Sequence, residues 1–405
     1  MTLQGKRILL GVCGGIAAYK SVYLLRSLIK KGADVKVIMT PGANAFVGPL
    51  TFSALSKHPV GIEFFNPQTG AWFNHVELGL WAELMIIAPA TANTIAKMNT
   101  GICDNLLLAT YLSAKCPVMI APAMDLDMWL HLTTQTNIKS LAAQNISIVE
   151  PGTGELASGL HGKGRMAEPE IILQSIHHFF IRQDLPSFIG KKIVITAGPT
   201  YEKIDPVRFI GNHSSGKMGF ALAEILHACG ADVTMVHGPV NLPELPSPIK
   251  TIAVESAAEM FEETAKEFDS CNIFISAAAV ADFTPKNIST IKIKKSADTK
   301  EISIQLEKTI DILATLSACK KKNQLIVGFA LETNDAIANA QKKLQQKNLD
   351  IIVLNILSDA GAGFGHDTNK ITILDKHNNI STFELKTKIE VAKDITRYIS
   401  KTLYA

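Results

Sequence analysis

Short apolar runs recur along the chain, each closed by glycine or a polar turn. Lys6–Val12 (KRILLGV) leads into Gly14-Gly15, a stretch of helical spacing at Ala17–Lys30, then Gly32-Ala33-Asp34-Val35 and a second run, Val35–Met39. Lys191–Ala197 (KKIVITA) opens the same series again. A longer loop, a helical stretch at Met218–Cys229 and a second GADV at Gly230–Val233 precede a run ending near Val236. Strand, glycine-bearing turn, helix and strand make a βαβ unit. The pattern therefore predicts an α/β chain of two tandem Rossmann-like, nucleotide-binding-type domains. Further apolar strands fit at Leu84–Ala88, Val118–Ala121 and Ile146–Val149 in the first domain, and at Ile273–Ala277, Leu325–Phe329 and Asp350–Leu354 in the second. Strands this uniformly apolar suit a parallel sheet covered on both faces. Helices fit at Thr94–Met98, Asn105–Ala114, Thr133–Gln144, Glu168–Phe180, Ala257–Phe268 and Ala336–Lys347, and a closing hairpin turns around His377–Asn379. Asp184, Pro186 and Gly190 break the helical pattern, which places the domains at residues 1–182 and 190–405. The prolines of Asn241–Pro248 mark a surface loop.

Composition narrows the class. The chain has 405 residues, enough for two or three domains. Hydrophobic residues make up 47% and charged residues 19%, so it can bury real cores. Forty Lys and Arg against 37 Asp and Glu give a net charge of +3, which makes no case for nucleic acid or a polybasic membrane contact. No apolar run approaches the roughly 18 residues of a membrane span, and the N-terminal run Ile8–Val12 is too short for a signal peptide. The six cysteines, Cys13, Cys103, Cys116, Cys229, Cys271 and Cys319, form no C-x-x-C pair. They read as buried free thiols of a reducing, cytoplasmic compartment. The histidines show no metal-site spacing, and no metal ligands are assigned.

Gly11-Val12-Cys13-Gly14-Gly15-Ile16 ends a strand and opens a helix, where glycines let a phosphate approach backbone N–H groups. Such turns also serve tight packing. The segment is not G-x-G-x-x-G and lacks a suitably placed acidic residue for a ribose, which argues against NAD. Three more stretches lie at or near predicted strand ends: Asn74–Leu78 (NHVEL), Ala88–Thr94 (APATANT) and Pro122–Trp129 (PAMDLDMW). Together with Gly14–Lys20 (GGIAAYK), they resemble the homo-oligomeric flavin-containing cysteine decarboxylases. The resemblance is greatest to the bifunctional coenzyme A biosynthesis proteins, and it covers essentially the whole chain. It implies an N-terminal flavodoxin-like domain that binds FMN and decarboxylates phosphopantothenoylcysteine to 4′-phosphopantetheine. In that family the cysteine thiol is oxidised to a thioaldehyde, which accepts the electrons as CO2 leaves, and the resulting enethiol is then reduced. By similarity His75 is the general base of the oxidation, a task suited to a pKa near working pH. By the same likeness Gly14, Gly15 and Ile16 contact FMN phosphate or ribityl, as do Thr40 and Ser53. Thr91, Ala92, Asn93 and Thr94 hold the flavin and Ala123 lines it.

The chain departs from this family at two reactive positions. Asp125 stands where the family has an Asn that donates a hydrogen bond to the substrate carboxylate. An ionised Asp cannot donate and repels: two like charges about 4 Å apart cost on the order of 4 kcal/mol at an effective dielectric constant near 20. Ser158, in Ala157-Ser158-Gly159, replaces the family's Cys, the proton donor for the enethiol, and serine is a far weaker acid. A smaller departure is Cys13, where relatives often have Ser. The resemblance leaves two alternatives to the bifunctional reading: a ligase with an impaired or silent decarboxylase half, and a flavin-binding regulatory subunit.

In the second domain, Ala197–Thr200 (AGPT) is followed by Asp205–Gly219, DPVRFIGNHSSGKMG. Gly, Ser and Lys before a helix suit a phosphate cradle, although this is not a Walker A and Ser214 or Ser215 could simply cap the helix. The string matches the phosphopantothenate–cysteine ligase half of the same family. So do Ala277–Phe283, Lys292–Lys295, Gly328–Thr333 and Phe364–Asn369. The implied reaction joins 4′-phosphopantothenate to L-cysteine, with CTP activating the carboxylate as an acyl-cytidylate and Mg2+ offsetting the anionic charge. Lys292 is the family's lysine for forming the acyl-cytidylate, Asn212 the asparagine for its conversion to product, and Arg208 their neighbour. Asp282, Ile310, Asp311, Ile312, Leu313, Phe329, Lys343 and Lys347 match nucleotide contacts. Thr309–Ile312 reads TIDI where the family has NPDI, and without the family Lys343 and Lys347 read as one solvated helix face. The resemblance also implies FMN between subunits, trimers of the first domain and dimers of the second, together a dodecamer.

Overall fold

The computed structural model describes residues 3–65, 68–70, 72–294, 302–356, 361 and 365–403. Lys295 and Phe364, named above, lie outside these. The chain divides into two compact units, Met1–His178 and Phe179–Ala405.

In the first unit, five parallel strands form one sheet: β1 (Arg7–Val12), β2 (Asp34–Met39), β3 (Leu84–Ala90), β4 (Val118–Pro122) and β5 (Ser147–Ile148). Their order across the sheet is β2-β1-β3-β4-β5. That is the flavodoxin-like order, whose strand sequence reverses between β1 and β3 and so opens a crevice at their carboxyl ends. Leu9, Met85, Ile87 and Ile120 are buried from the sheet against Leu107, Ile138 and Leu141 from the helices. Each such side chain contributes about 1.5–3 kcal/mol by leaving water.

Some elements differ from expectation. The fifth strand is only two residues long, although Ile146 and Val149 beside it are buried and the Val149 N–H still donates to Ile120 O at 2.8 Å. Asn74–Leu78 is expected at or near a strand end, but no strand ends at residue 75. His75 opens the helix His75–Trp81, which Asn74 caps by accepting the Val76 and Glu77 N–H groups at 3.1 and 3.2 Å. A hairpin of β6 (Gly152–Glu155) and β7 (His161–Arg165) follows the sheet. Its glycines and charges hide it from a search for apolar runs. The helix Pro169–Asp184 ends where the break was expected.

In the second unit the spatial order runs Lys250–Ala253, Asp232–His237, Lys192–Ala197, Ile273–Ser276, Leu325–Glu332, Ile351–Ile356, Thr372–Asp375 and Ile380–Thr382. The first six strands are parallel in the order 3-2-1-4-5-6, the Rossmann arrangement. The expected hairpin adds two antiparallel strands at one edge. Val194, Phe274, Ile326 and Ile352 pack beneath Met260, Leu316 and Leu344. Asn241–Pro248 carries no helix or strand. The C-terminal helix Lys388–Leu403, which the run of apolar strands did not announce, buries Val391, Ile395 and Ile399. The cysteines divide differently from expectation. Cys13, Cys229 and Cys271 are buried, Cys116 is half-buried, and Cys103 and Cys319 are exposed, because they sit on loops beyond helix ends.

Candidate functional sites

The carboxyl ends of β1, β2, β3 and β4 surround a cavity of about 760 Å3 in the first unit. That size suits a cofactor as large as a riboflavin phosphate. Nine of the ten residues named for the flavin line it: Gly14, Gly15 and Ile16 after β1, Thr40 after β2, Thr91 to Thr94 after β3, and Ala123 after β4. Asp125 lines it too. Ser53 does not; its hydroxyl donates to Leu50 O at 3.2 Å within the helix Pro49–Ser56.

Local geometry explains the loop residues. The Gly14 N–H donates to Thr40 Oγ1 at 3.2 Å, and a Cβ on Gly14 would lie 2.7 Å from the Gly42 carbonyl carbon. The backbone there is a cradle that a side chain would fill. Thr91 caps the helix Ala92–Thr100 by accepting the Thr94 N–H at 3.4 Å. Thr94 is buried, and its hydroxyl accepts from the Cys13 thiol at 3.2 Å. Burial pushes the Cys13 thiol up, against the opposing hydrogen bonds from Thr94 and Thr91. Lys20, almost wholly buried, donates to Met166 O at 3.0 Å and to Glu168 at 2.8 Å, and this pairing holds the Glu168 carboxyl below its usual range.

Two named catalytic residues stand off the cavity. His75 stacks edge-on to Phe64 at 6.1 Å, and its Nδ1 is buried without a hydrogen-bond partner among the described residues. Ser158 is exposed on the turn between β6 and β7, where its Oγ accepts the Leu160 N–H at 3.4 Å.

In the second unit the strand order reverses between Lys192–Ala197 and Ile273–Ser276, and the loops after these strands meet. Asn212 Nδ2 donates to Ala279 O at 3.1 Å and Val280 O at 2.9 Å, which leaves its Oδ1 without a partner among the described residues. The helix Lys217–Ala228 is capped by Gly216 in the left-handed conformation (φ 74°), not by Ser214 or Ser215. Gly216 has no side chain to satisfy the helix's first-turn N–H groups, so they remain able to receive an anion. Lys217 donates to Asp367 at 2.7 Å, joining this loop to the Gly365–Asn369 segment.

The signal that sequence reasoning missed is Asp205, whose side chain is fully enclosed. It anchors Arg208 and the Ile293 N–H, and so the segment carrying Lys292, which is itself exposed. An Asp-Pro pair reads as an ordinary turn, and its partner lies 88 residues away.

The residues expected to contact a nucleotide form a second group. Asp311 caps the helix Ile312–Ala318 through the Ala314 N–H at 3.0 Å and pairs with Lys347 at 2.7 Å. Burial raises the Asp311 carboxyl, but Lys347, the Ala314 N–H and Lys343 outweigh it and hold the group low. Lys343 lies 3.9 Å from Glu332, so neither lysine is a simply solvated face. Ile310 is exposed, Ile312 and Leu313 are buried, and Phe329 is half-buried on its strand. Asp282 is exposed, and its carbonyl accepts the Thr309 N–H at 3.0 Å.

Comparison with known proteins fits this division. The family described as Flavoprotein matches residues 1–181, and the family described as DNA/pantothenate metabolism flavoprotein C-terminal domain matches residues 188–403. A cysteine/cysteine sulfinic acid decarboxylase from an unknown prokaryotic organism is 58% identical over 87% of this chain and 98% of its own. The coenzyme A biosynthesis bifunctional protein CoaBC of Bacillus subtilis is 45% identical over 98% of this chain and 97% of its own. That of Escherichia coli is 42% identical over 99% of each. The chain belongs to the family of the coenzyme A biosynthesis bifunctional proteins, in which a flavoprotein domain is joined to a pantothenate-metabolism domain.

Proposed function

We propose that this chain is a bifunctional enzyme of coenzyme A biosynthesis. Residues 190–405 ligate 4′-phosphopantothenate to L-cysteine with CTP, and residues 1–182 decarboxylate the resulting phosphopantothenoylcysteine with FMN. The observation that carries this reading is the cavity at the β1/β3 reversal, lined by the flavin-type residues of a chain that aligns end to end with CoaBC.

The cavity fits FMN. Gly14, Gly15, Thr40 and Thr91 to Thr94 would hold it, with Ala123 against it, and when bound it supplies a two-electron acceptor that returns its electrons before release of product. The protein binds and orients the substrate beside it and handles protons, with His75 taking the thiol proton. His75 stands off the cavity of its own chain, so a neighbouring copy completes each site. Exposed Ile16, Tyr19 and Tyr23 on and beside the cavity rim support burial against another subunit. Trimers of the first domain and dimers of the second follow this reading.

In the ligase, Lys292 offsets charge as the carboxylate attacks the nucleotide, and the open N-terminus of Lys217–Ala228 receives phosphate. Asn212 offers Oδ1 to an N–H of the attacking cysteine amine. Mg2+ enters with the triphosphate; among the described residues no cluster of three His, Cys, Asp or Glu could hold a metal ion alone. The free thiols support a reducing cytoplasm.

The test is a purified protein with an FMN spectrum that releases pyrophosphate from CTP only with both 4′-phosphopantothenate and L-cysteine. Lys292→Gln should lose at least a hundredfold of that release and keep the flavin spectrum; retained release would refute the ligase assignment. The 58% identical relative also makes unacylated cysteine a candidate substrate of the first domain.

A further inference from the structure

Charge in the first-domain cavity is unevenly committed. Its three basic side chains are each held by a carboxylate: Lys20 by Glu168 at 2.8 Å, Arg165 by the same Glu168 at 3.2 Å, and Lys97 by Asp104. Two further carboxylates that line it, Asp125 and Glu155, have no cationic partner among the described residues. Asp125 lines the cavity and accepts the Leu126 N–H at 2.6 Å through Oδ1, and among the described residues its Oδ2 has no hydrogen-bond partner.

We propose that the first domain accepts, beside an N-acylated cysteine, thiol amino acids with a free α-ammonium, and that Asp125 is the counter-ion selecting them. The proposal rests on the decarboxylase reading above. An N-acyl cysteine carries a carboxylate and a neutral amide, so it brings a second negative charge toward Asp125 with nothing to offset it. Free cysteine is a zwitterion and brings its own cation, and an ammonium–carboxylate bond is of the charge-assisted kind. A relative 58% identical is named for cysteine and cysteine sulfinic acid. The overall change with L-cysteine is redox-neutral. The bond from Cα to the carboxylate carbon breaks, CO2 leaves with that carbon, and a solvent proton takes its place on Cα to give cysteamine. Asn caps a helix as well as Asp does, so Asp125→Asn removes the charge and keeps the cap of Leu126–Leu130.

The test uses the FMN-loaded full chain and two unreactive probes, S-methyl-L-cysteine and N-acetyl-S-methyl-L-cysteine, titrated by calorimetry. The wild type should bind the free amine at least tenfold more tightly, and Asp125→Asn should bring that ratio to one or below. A wild type that binds the free amine no better, or a ratio that survives Asp125→Asn, overturns the proposal. CO2 release from L-cysteine and from phosphopantothenoylcysteine is followed in the same two proteins. Loss of turnover on free cysteine in Asp125→Asn, with turnover on the acylated substrate raised, supports the proposal; unchanged turnover on free cysteine overturns it. A protein that shows the probe preference but releases no CO2 from either substrate would keep the counter-ion and overturn the decarboxylase reading instead.

Discussion

Asp205 holds Arg208 and Ile293 with a single carboxylate. Its Oδ2 accepts Arg208 Nε at 3.0 Å and the Ile293 N–H at 3.1 Å, while Arg208 Nη2 donates to Ile293 O at 3.0 Å. Oδ1 accepts the N–H groups of Val207 and Arg208, both at 2.9 Å. Ile293 is thus pinned at both polar atoms of its backbone, and the preceding Lys292 is aimed by that grip. Asp205→Asn leaves one acceptor oxygen for these donors, so we expect ligation to lose at least tenfold in kcat with little change in the KM for CTP. Circular dichroism should stay as in the wild type, and unchanged kcat would remove Asp205 from the positioning of Lys292. The pH dependence has a defined sign. Arg208 holds the Asp205 carboxyl far below its usual range, against burial and with the help of the backbone N–H groups. A depressed carboxyl stabilises the fold above the unfolded value of about 3.9 and loses that contribution only as pH falls toward the folded value. The deficit of Asp205→Asn should therefore be constant from pH 5 to 9, as a kcat profile would record.

The Gly14 loop makes a paired prediction. A Cβ at Gly14 would meet Gly42 backbone at 2.7 and 2.8 Å, and backbone cannot yield as a side-chain tip does. A Cβ at the neighbouring Gly15 would have only Thr91 Cγ2 at 3.7 Å, ordinary contact. Gly14→Ala should purify without flavin and be destabilised by about 1–3 kcal/mol, the usual cost of overpacking. Gly15→Ala should keep its yellow colour. Flavin absorbance per protein and thermal unfolding check both, and equal flavin content in the two variants would dismiss the cradle.

These residues show what could be read along the chain. Both sheets were legible because fully apolar strands and a repeated GADV leave a strong local pattern, and glycines at strand ends gave the cavity. Asp205 was not legible, since its significance lies in a contact with Ile293 far along the chain. The hairpin carrying Ser158 is built of glycine and charge, and its fold depends on pairing, not on burial of an apolar face. The helix at His75 could have been found from Asn74, a cap followed by Glu77 in the first turn. Ser53 was placed by likeness alone, and its helix points the hydroxyl back to its own backbone.

The thiols should separate by environment. Desolvation pushes Cys229 up to about 12 and Cys271 to about 11, and raises Cys13 as well. Because the thiolate is the nucleophile, these three are inert at pH 8. Cys103 and Cys319 are exposed and should alkylate first, with half-buried Cys116 slower. Iodoacetamide labelling followed by peptide mass mapping would show this order. Modification of Cys229 or Cys271 in the folded protein before Cys319 would contradict it.

Ser158 gives the last prediction, because its chemistry can be changed without touching the fold. It is exposed on a hairpin turn, and its only hydrogen bond among the described residues is a long one from Leu160, so a thiol fits there at little cost in stability. A thiol with a pKa of about 8.5 gives up a proton far more readily than an aliphatic hydroxyl does. If the residue at 158 protonates the enethiol formed on loss of CO2, the wild type should reduce that enethiol slowly, and some of it should remain in a single-turnover mixture. Ser158→Cys should then raise the yield of the saturated thiol at least tenfold. The two products differ by two hydrogens, so mass spectrometry of a single-turnover mixture distinguishes them. CTP-dependent ligation in the same protein should be unchanged, which separates an effect on the first domain from general damage. A wild type that already yields only the saturated thiol would mean that another group supplies the proton.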